Sequence, residues 1–196
     1  MARTRTIDRT AMLDAAERVV ARDGATRLTL DAVAAEAGIS KASVLYDYKT
    51  KQALIKAVIE HRMATEVARL RSFIDREGDK PNADILGLIA AVEKDDGAFD
   101  RNVALDLAVS LNQHDDLRIS IRENFGAFFD GIERTAADPR RAKVAFLAIE
   151  GLKLIESFGF YEWAQSERDQ MIEDIRALLR ADATDNASNK ETAERP

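Results

Sequence analysis

The stretch "GISKASVLYDYKTKQAL", residues 38–54, holds three lysines, two tyrosines and the hydroxyls of Ser40, Ser43 and Thr50 in a chain of formal charge −6. Lysine supplies a compact cation, serine and tyrosine supply short hydroxyl donors, and Ala42 is small enough to allow close approach. These types hydrogen-bond to phosphate oxygens and base edges. The chemistry they point to is docking on a polyanion. Charge is distributed to match: residues 1–56 carry ten Lys/Arg against seven acids, the remainder nineteen against twenty-eight. A basic head on an acidic body suggests a polyanionic partner at the head alone, with a chance asymmetry of solvated charge as the alternative.

Other chemistries find less support. "NQHDD" (112–116) sets His114 beside two acids, a weak acid–base cluster, and the other histidine, His61, lies on a different predicted helix. That argues against a multi-histidine metal site. The chain has no cysteine, hence no disulfide or thiolate site, which fits a reducing cytoplasm. No phosphate-binding glycine loop or nucleophile elbow occurs. No metal, cofactor or catalytic residue is therefore assigned. A small helical enzyme acting through His114 and a helical protein–protein adaptor remain the alternative classes. No run of about 18 apolar residues is long enough to span a membrane. "MARTRTIDRT" lacks the apolar segment of a secretory signal, so a cytoplasmic location is expected.

The elements that must position the 38–54 cluster are helices, and the fold class expected is all-α, about nine helices. Apolar spacing over 8–23 (Met12, Ala15, Ala16, Val19, Val20) predicts the first, ended by Gly24. Thr29 is the expected N-cap of a helix over 30–37, Gly38 its break, Ser40 the cap of a short helix over 41–47, and Thr50 the cap of a long one to about 77. Leu54 and Val58 face the head; Met63, Val67, Leu70 and Ile74 continue the stripe. Further helices are expected over 83–94, 100–112, 115–136, 139–158 and 167–182. In the 115–136 helix, Leu117, Ile121, Phe125, Phe128 and Ile132 share a face. The polar segment 183–196 lacks large apolar residues and is expected to be a disordered tail.

Two short helices around a glycine turn form a helix-turn-helix pattern. Its second helix enters the major groove N-terminal end first, which presents Ser40, Lys41, Ala42 and Ser43, with Tyr46 one turn later. The run "LTLDAVAAEAGISKASVLYDYKTKQALIKAV" resembles the DNA-binding head of the TetR family of bacterial transcriptional regulators, over about residues 8–58. The resemblance implies a head over 1–50 with a helical effector-binding and dimerisation domain over 51–182. It also implies a homodimer on double-stranded operator DNA, usually a repressor released by a small-molecule effector. Carried over by position, Thr29 and Lys51 meet the DNA backbone, Ser40 to Ser43 open the recognition helix, Tyr46 faces DNA, and Tyr48 takes the place of a buried phenylalanine. Asp47 and Lys49 depart from the family pattern. Phosphate repels Asp47 unless it pairs with Lys49, Lys51 or a base amine.

The same resemblance makes the helices over 139–158 and 167–182 a dimer seam. Val144, Leu147, Ala148, Gly151, Leu152, Ile155, Met171, Ile172, Ile175, Leu178 and Leu179 form their apolar faces. The alternative is that these faces complete an internal core. Aromatic residues concentrate in the second half, and Phe99, Phe125, Phe128, Phe129, Phe158 and Trp163 are candidates to line an effector cavity, with Met63 of the long helix beside them. Asn112, Gln113, His114 and Asn124 are the polar candidates, and Asp106 and Glu123 the acidic ones.

Overall fold

The computed structural model of the chain describes residues 8–24, 27–94 and 115–180. Among the described residues the secondary structure is helical, with no strand: α1 (Arg9–Asp23), α2 (Leu30–Ala37), α3 (Lys41–Asp47), α4 (Lys51–Glu77), α5 (Ala83–Glu93), α6 (Asp115–Thr135), α7 (Pro139–Ser157) and α8 (Gln165–Ala177). The helix expected over 100–112 and the tail over 183–196 lie outside the described residues. None of the described helices is long and apolar enough to cross a membrane.

The caps fall on the residues whose side chains can supply them. Asp8 accepts from the Thr10 and Ala11 amides at 3.0 and 3.3 Å. Thr29, Ser40 and Thr50 accept at 3.1, 3.1 and 3.0 Å from amides three residues on. Each serves an amide that the helix itself leaves without a partner. Gly38 adopts φ +65°, a conformation costly to residues with a Cβ. There its amide reaches Ala35 O and that of Ile39 reaches Ala34 O, closing α2 in a Schellman turn that aims the chain into α3.

Apolar residues gather in two cores. The head core joins Met12, Val19, Leu28, Val33, Val44 and Tyr48 to Leu54 and Val58 of α4. The body core joins Ile85, Ile89, Ile132, Phe146, Ile149 and Ile172. Tyr48 is buried, as its position implies. Residue 50 is thus a boundary in sequence only, since the first turns of α4 complete the head.

α4 packs chiefly on α5. Gly87 permits their closest approach: a Cβ there would stand 2.7 Å from the Cα and amide nitrogen of Ile74. Gly87→Ala is expected to force the helices apart and cost ~1–3 kcal/mol, as overpacking does. Urea unfolding should show a lowered midpoint, and an unchanged midpoint would contradict this packing. At the other end of α5, buried Asn82 takes φ +67°, donates its amide to Thr135 O at 2.8 Å and accepts from the Ala137 amide at 3.1 Å. It fastens the start of α5 to the end of α6.

One helix boundary departs from the sequence expectation. α8 begins two residues sooner and ends five residues sooner than 167–182. The Glu167 carboxylate accepts from the Ala164 amide at 3.2 Å and so draws the first turn back, and Leu178 and Leu179 lie in the closing turn. Met63, Val67, Leu70 and Ile74 are only half-buried, because they face an open groove. On α6, Leu117 and Ile132 are fully buried, while Phe125 between them is exposed.

Candidate functional site

The first turn of α3 is held in place at both ends of the helix. At its start, Ser40 and Ser43 place their hydroxyl oxygens 2.7 Å apart, and Ser40 caps the helix. At its end, Arg9 Nε lies 3.7 Å from Asp47 Oδ1 while its guanidinium sits over the Tyr48 ring at 5.7 Å. This contact, from α1, answers the question of Asp47: Arg9, absent from the partners expected for it, stands against the carboxylate. It also offsets the unfavourable position of an acid at a helix C-terminus. Arg18 and Arg22 of α1 both bind Glu36 of α2, at 2.8 and 2.9 Å. Those hydrogen bonds, Arg18's first, hold the Glu36 carboxyl below the usual carboxylate range.

What the head presents is a contiguous set. Thr29, Ser40, Lys41, Ala42 and Tyr46 are exposed, Tyr46 at 84%, while Ser43 and Lys51 are half-buried. Val44 turns inward and locks the helix to the head core. An 84% exposed tyrosine on a helix whose other face is buried has its ring and hydroxyl available to a partner. Lys41 Nζ meets Asp31 Oδ2, in the first turn of α2, at 2.8 Å, with both side chains largely exposed. Exposed pairs of this kind are worth about 0–1 kcal/mol, so a phosphate or a base edge can compete for the ammonium. Spacing along the sequence does not reveal this pair.

Family models match this architecture in two pieces. One, bacterial regulatory proteins of the TetR family, covers residues 12–58, and the other, the tetracyclin repressor-like C-terminal domain, covers 68–180. The chain belongs to the TetR family. Members are DNA-binding transcription regulators rather than enzymes. Solved structures share the TetR fold. A Pseudomonas aeruginosa PAO1 protein described as a transcriptional regulator superposes with a TM-score of 0.68 at 16% identity, covering 89% of this chain and 91% of that one. The multidrug binding protein EbrR, complexed with imidazole, gives 0.57 at 21%, covering 94% and 100%. A TetR-family member from Streptomyces coelicolor gives 0.56 at 22%, covering 88% and 98%. No curated protein is significantly similar in sequence.

In the TetR body, a groove of about 490 Å³ runs between α4, α5, α6 and α7, lined by Leu70, Ile74, Leu88, Phe125, Phe128 and Phe146 among others. Phe125, Phe128 and Phe129 pack around Phe146 with centroids 5.9, 5.2 and 5.0 Å away. An adjoining recess of about 640 Å³ includes Met63 and Asn124. Of the expected lining residues, Met63, Asn124, Phe125 and Phe128 therefore border open space. Phe129 borders neither cavity and packs on Phe146 and the body core. Phe158 and Trp163 border neither cavity: Phe158 stacks on Phe160 at 5.4 Å, and Trp163 packs on Tyr161 at 4.5 Å and on the body core. They lie in the α7–α8 connection, between the two helices. Glu123 is exposed and lines neither cavity. Phe99, Asp106, Asn112, Gln113 and His114 lie outside the described residues.

The expected dimer seam divides in two. Leu152, Ile172 and Ile175 are buried in the body core of a single protomer, so they cannot form an outer face. Val144 (55% exposed), Leu147 (66%) and Leu154 (52%) point outward on α7, with half-buried Gly151 between them, and Leu178 after α8 is also exposed. Ala148, Ile155, Met171 and Leu179 are half-buried. A 19-residue helix with an apolar face this wide serves two surfaces, and sequence spacing does not show which residue serves which.

Proposed function

We propose that the protein is a homodimeric repressor, acting in the cytoplasm, that binds an inverted-repeat operator and leaves it when a small molecule enters the body. In this reading residues 1–50 form the DNA-binding head, 51–182 the effector and dimerisation domain, and 183–196 a tail. Thr29, Ser40, Lys41, Ala42, Ser43, Tyr46 and Lys51 meet the operator. Val144, Leu147, Gly151, Leu154 and Leu178 meet the second copy. EbrR, a multidrug binding protein of the same fold, lends support to the ligand.

The observation that carries the proposal is the continuity of α4. Its first turns complete the head core through Leu54 and Val58. Its middle is tied to α1 by His61 Nε2–Asp14 Oδ1 at 2.8 Å and Arg62–Glu17 at 3.5 Å. Its later turns carry Val67, Leu70 and Ile74 along the groove. A ligand that prefers one placement of these later turns moves the head with them. Linkage then requires operator DNA to weaken ligand binding by the factor with which ligand weakens DNA binding. A coupling of ~1–3 kcal/mol, about 5–150-fold, is expected. Calorimetric titration of a ligand found by thermal-shift screening, with and without operator, measures it. Equal affinities in the two titrations would sink the effector role of that ligand.

A further inference from the structure

Asp84 occupies the first turn of α5, a position where an acid is favoured by the helix dipole. On an isolated helix it would be solvated. Here it is 8% exposed, and a buried carboxylate is costly unless it is paired. Its pairing is half complete. Thr135 Oγ1 lies 2.6 Å from Asp84 Oδ2 and 3.1 Å from Gly131 O. The single hydroxyl proton serves one acceptor, and the shorter contact is to the carboxylate. Among the described residues Thr135 supplies the one hydrogen bond to the carboxylate, at Oδ2, leaving Oδ1 to other donors, and no Lys or Arg among them forms an ion pair with it.

The surroundings keep that oxygen in place. A Cβ on Gly131 would stand 2.4 Å from Oδ1, so glycine at this point of α6 leaves the space the oxygen occupies. Asp84 lines the groove together with Leu70, Leu88, Phe125 and Phe128. The other charges along the groove are matched or solvated. Arg69 donates twice to Glu66, and Lys153 to Glu150 at 2.8 Å. Burial pushes the Glu66 carboxyl up, but the Arg69 hydrogen bonds outweigh it and leave Glu66 below the usual range. Arg71, Asp75 and Arg134 are exposed.

We propose that the groove takes an organic cation whose ammonium or amidinium donates to Asp84 Oδ1 and whose aromatic or apolar body lies against Phe125, Phe128, Leu70 and Leu88. This rests on reading the groove as the effector site and names the ligand's chemical class. A charge-assisted hydrogen bond in a site of low exposure favours the charged ligand over a neutral one of the same shape.

The test compares three probes of one shape on the full chain by calorimetry at neutral pH: 1-naphthylmethylamine, 1-naphthalenemethanol and 1-naphthoate. The amine is expected to bind about tenfold or more tighter than the alcohol, and the acid weakest. Asp84→Asn should abolish the preference for the amine, bringing the amine-to-alcohol ratio to about one. The wild-type ratio needs no variant, so a misfolded Asp84→Asn cannot protect the proposal. Amine and alcohol binding alike would overturn the cation assignment while leaving the groove as a ligand site. A preference that survives in folded Asp84→Asn would overturn the role of Asp84. Binding by none of the three would overturn both readings.

Discussion

Replacing Leu147 with glutamate should convert the protein to a monomer and abolish tight operator binding. Leu147 is 66% exposed on α7, with Val144 and Leu154 on the same outward surface. Because the side chain is not part of the body core, the substitution leaves the protomer intact. In the proposed dimer it buries one carboxylate from each copy, at an effective penalty of several kcal/mol per ion. That is about a hundredfold or more in dissociation constant. Sedimentation should show dimer for the unaltered chain at micromolar concentration and monomer for the variant, with unfolding of the protomer unchanged. A Leu147→Glu protein that remains dimeric would move the seam elsewhere. Leu152→Glu is not an equivalent test, since Leu152 is in the protomer's own core and a carboxylate buried there is expected to destabilise the body itself.

Tyr46→Ala and Lys41→Ala should each weaken operator binding by ~1–3 kcal/mol where the residue reads a base edge, about 5–150-fold. The base preference at the position touched should relax. If Lys41 meets phosphate alone, all sequences weaken alike and the salt slope falls by about one. Asp31→Asn provides an internal comparison. It removes the partner 2.8 Å from Lys41 Nζ and one negative charge from the presented surface, so DNA affinity should rise modestly. Anisotropy titrations over a range of salt concentrations check all three variants. Affinity and salt slope unchanged in both alanine variants would remove α3 from the DNA interface.

The head is the part most legible in the sequence, because its determinants are local. Thr29, Ser40 and Thr50 each cap an amide three residues away, and Gly38 ends α2 through its own backbone conformation. Spacing along the chain reveals both kinds of signal. The pairs Lys41–Asp31 and Arg9–Asp47 join separate helices, and a residue type alone does not choose between candidate partners. Asp47 shows the limit: its expected partners were neighbours in sequence, and the one found lies on α1. In the body, periodicity identifies helices but not what each apolar stripe faces. Leu147 and Leu152 lie about 140° apart on a helical wheel, on two apolar faces of α7, and only packing shows which face is the surface and which the core. Likewise the stripe from Met63 to Ile74 borders a groove instead of a core, and Asp84 acquires its significance from Gly131 and Thr135 some fifty residues later.

In the proposed function residues 29–51 dock the protein, as a two-fold dimer, on DNA. Selection of bound sequences from random duplex DNA by the full chain tests it most directly. Two recognition helices related by a two-fold axis require an inverted repeat, with half-site centres about one helical turn or a multiple apart. The same repeat should fail to be enriched by Tyr46→Ala. Recovery of no preferred sequence, of a single unrepeated half-site, or of the same repeat at undiminished affinity by the Lys41→Ala/Tyr46→Ala double variant would contradict the account.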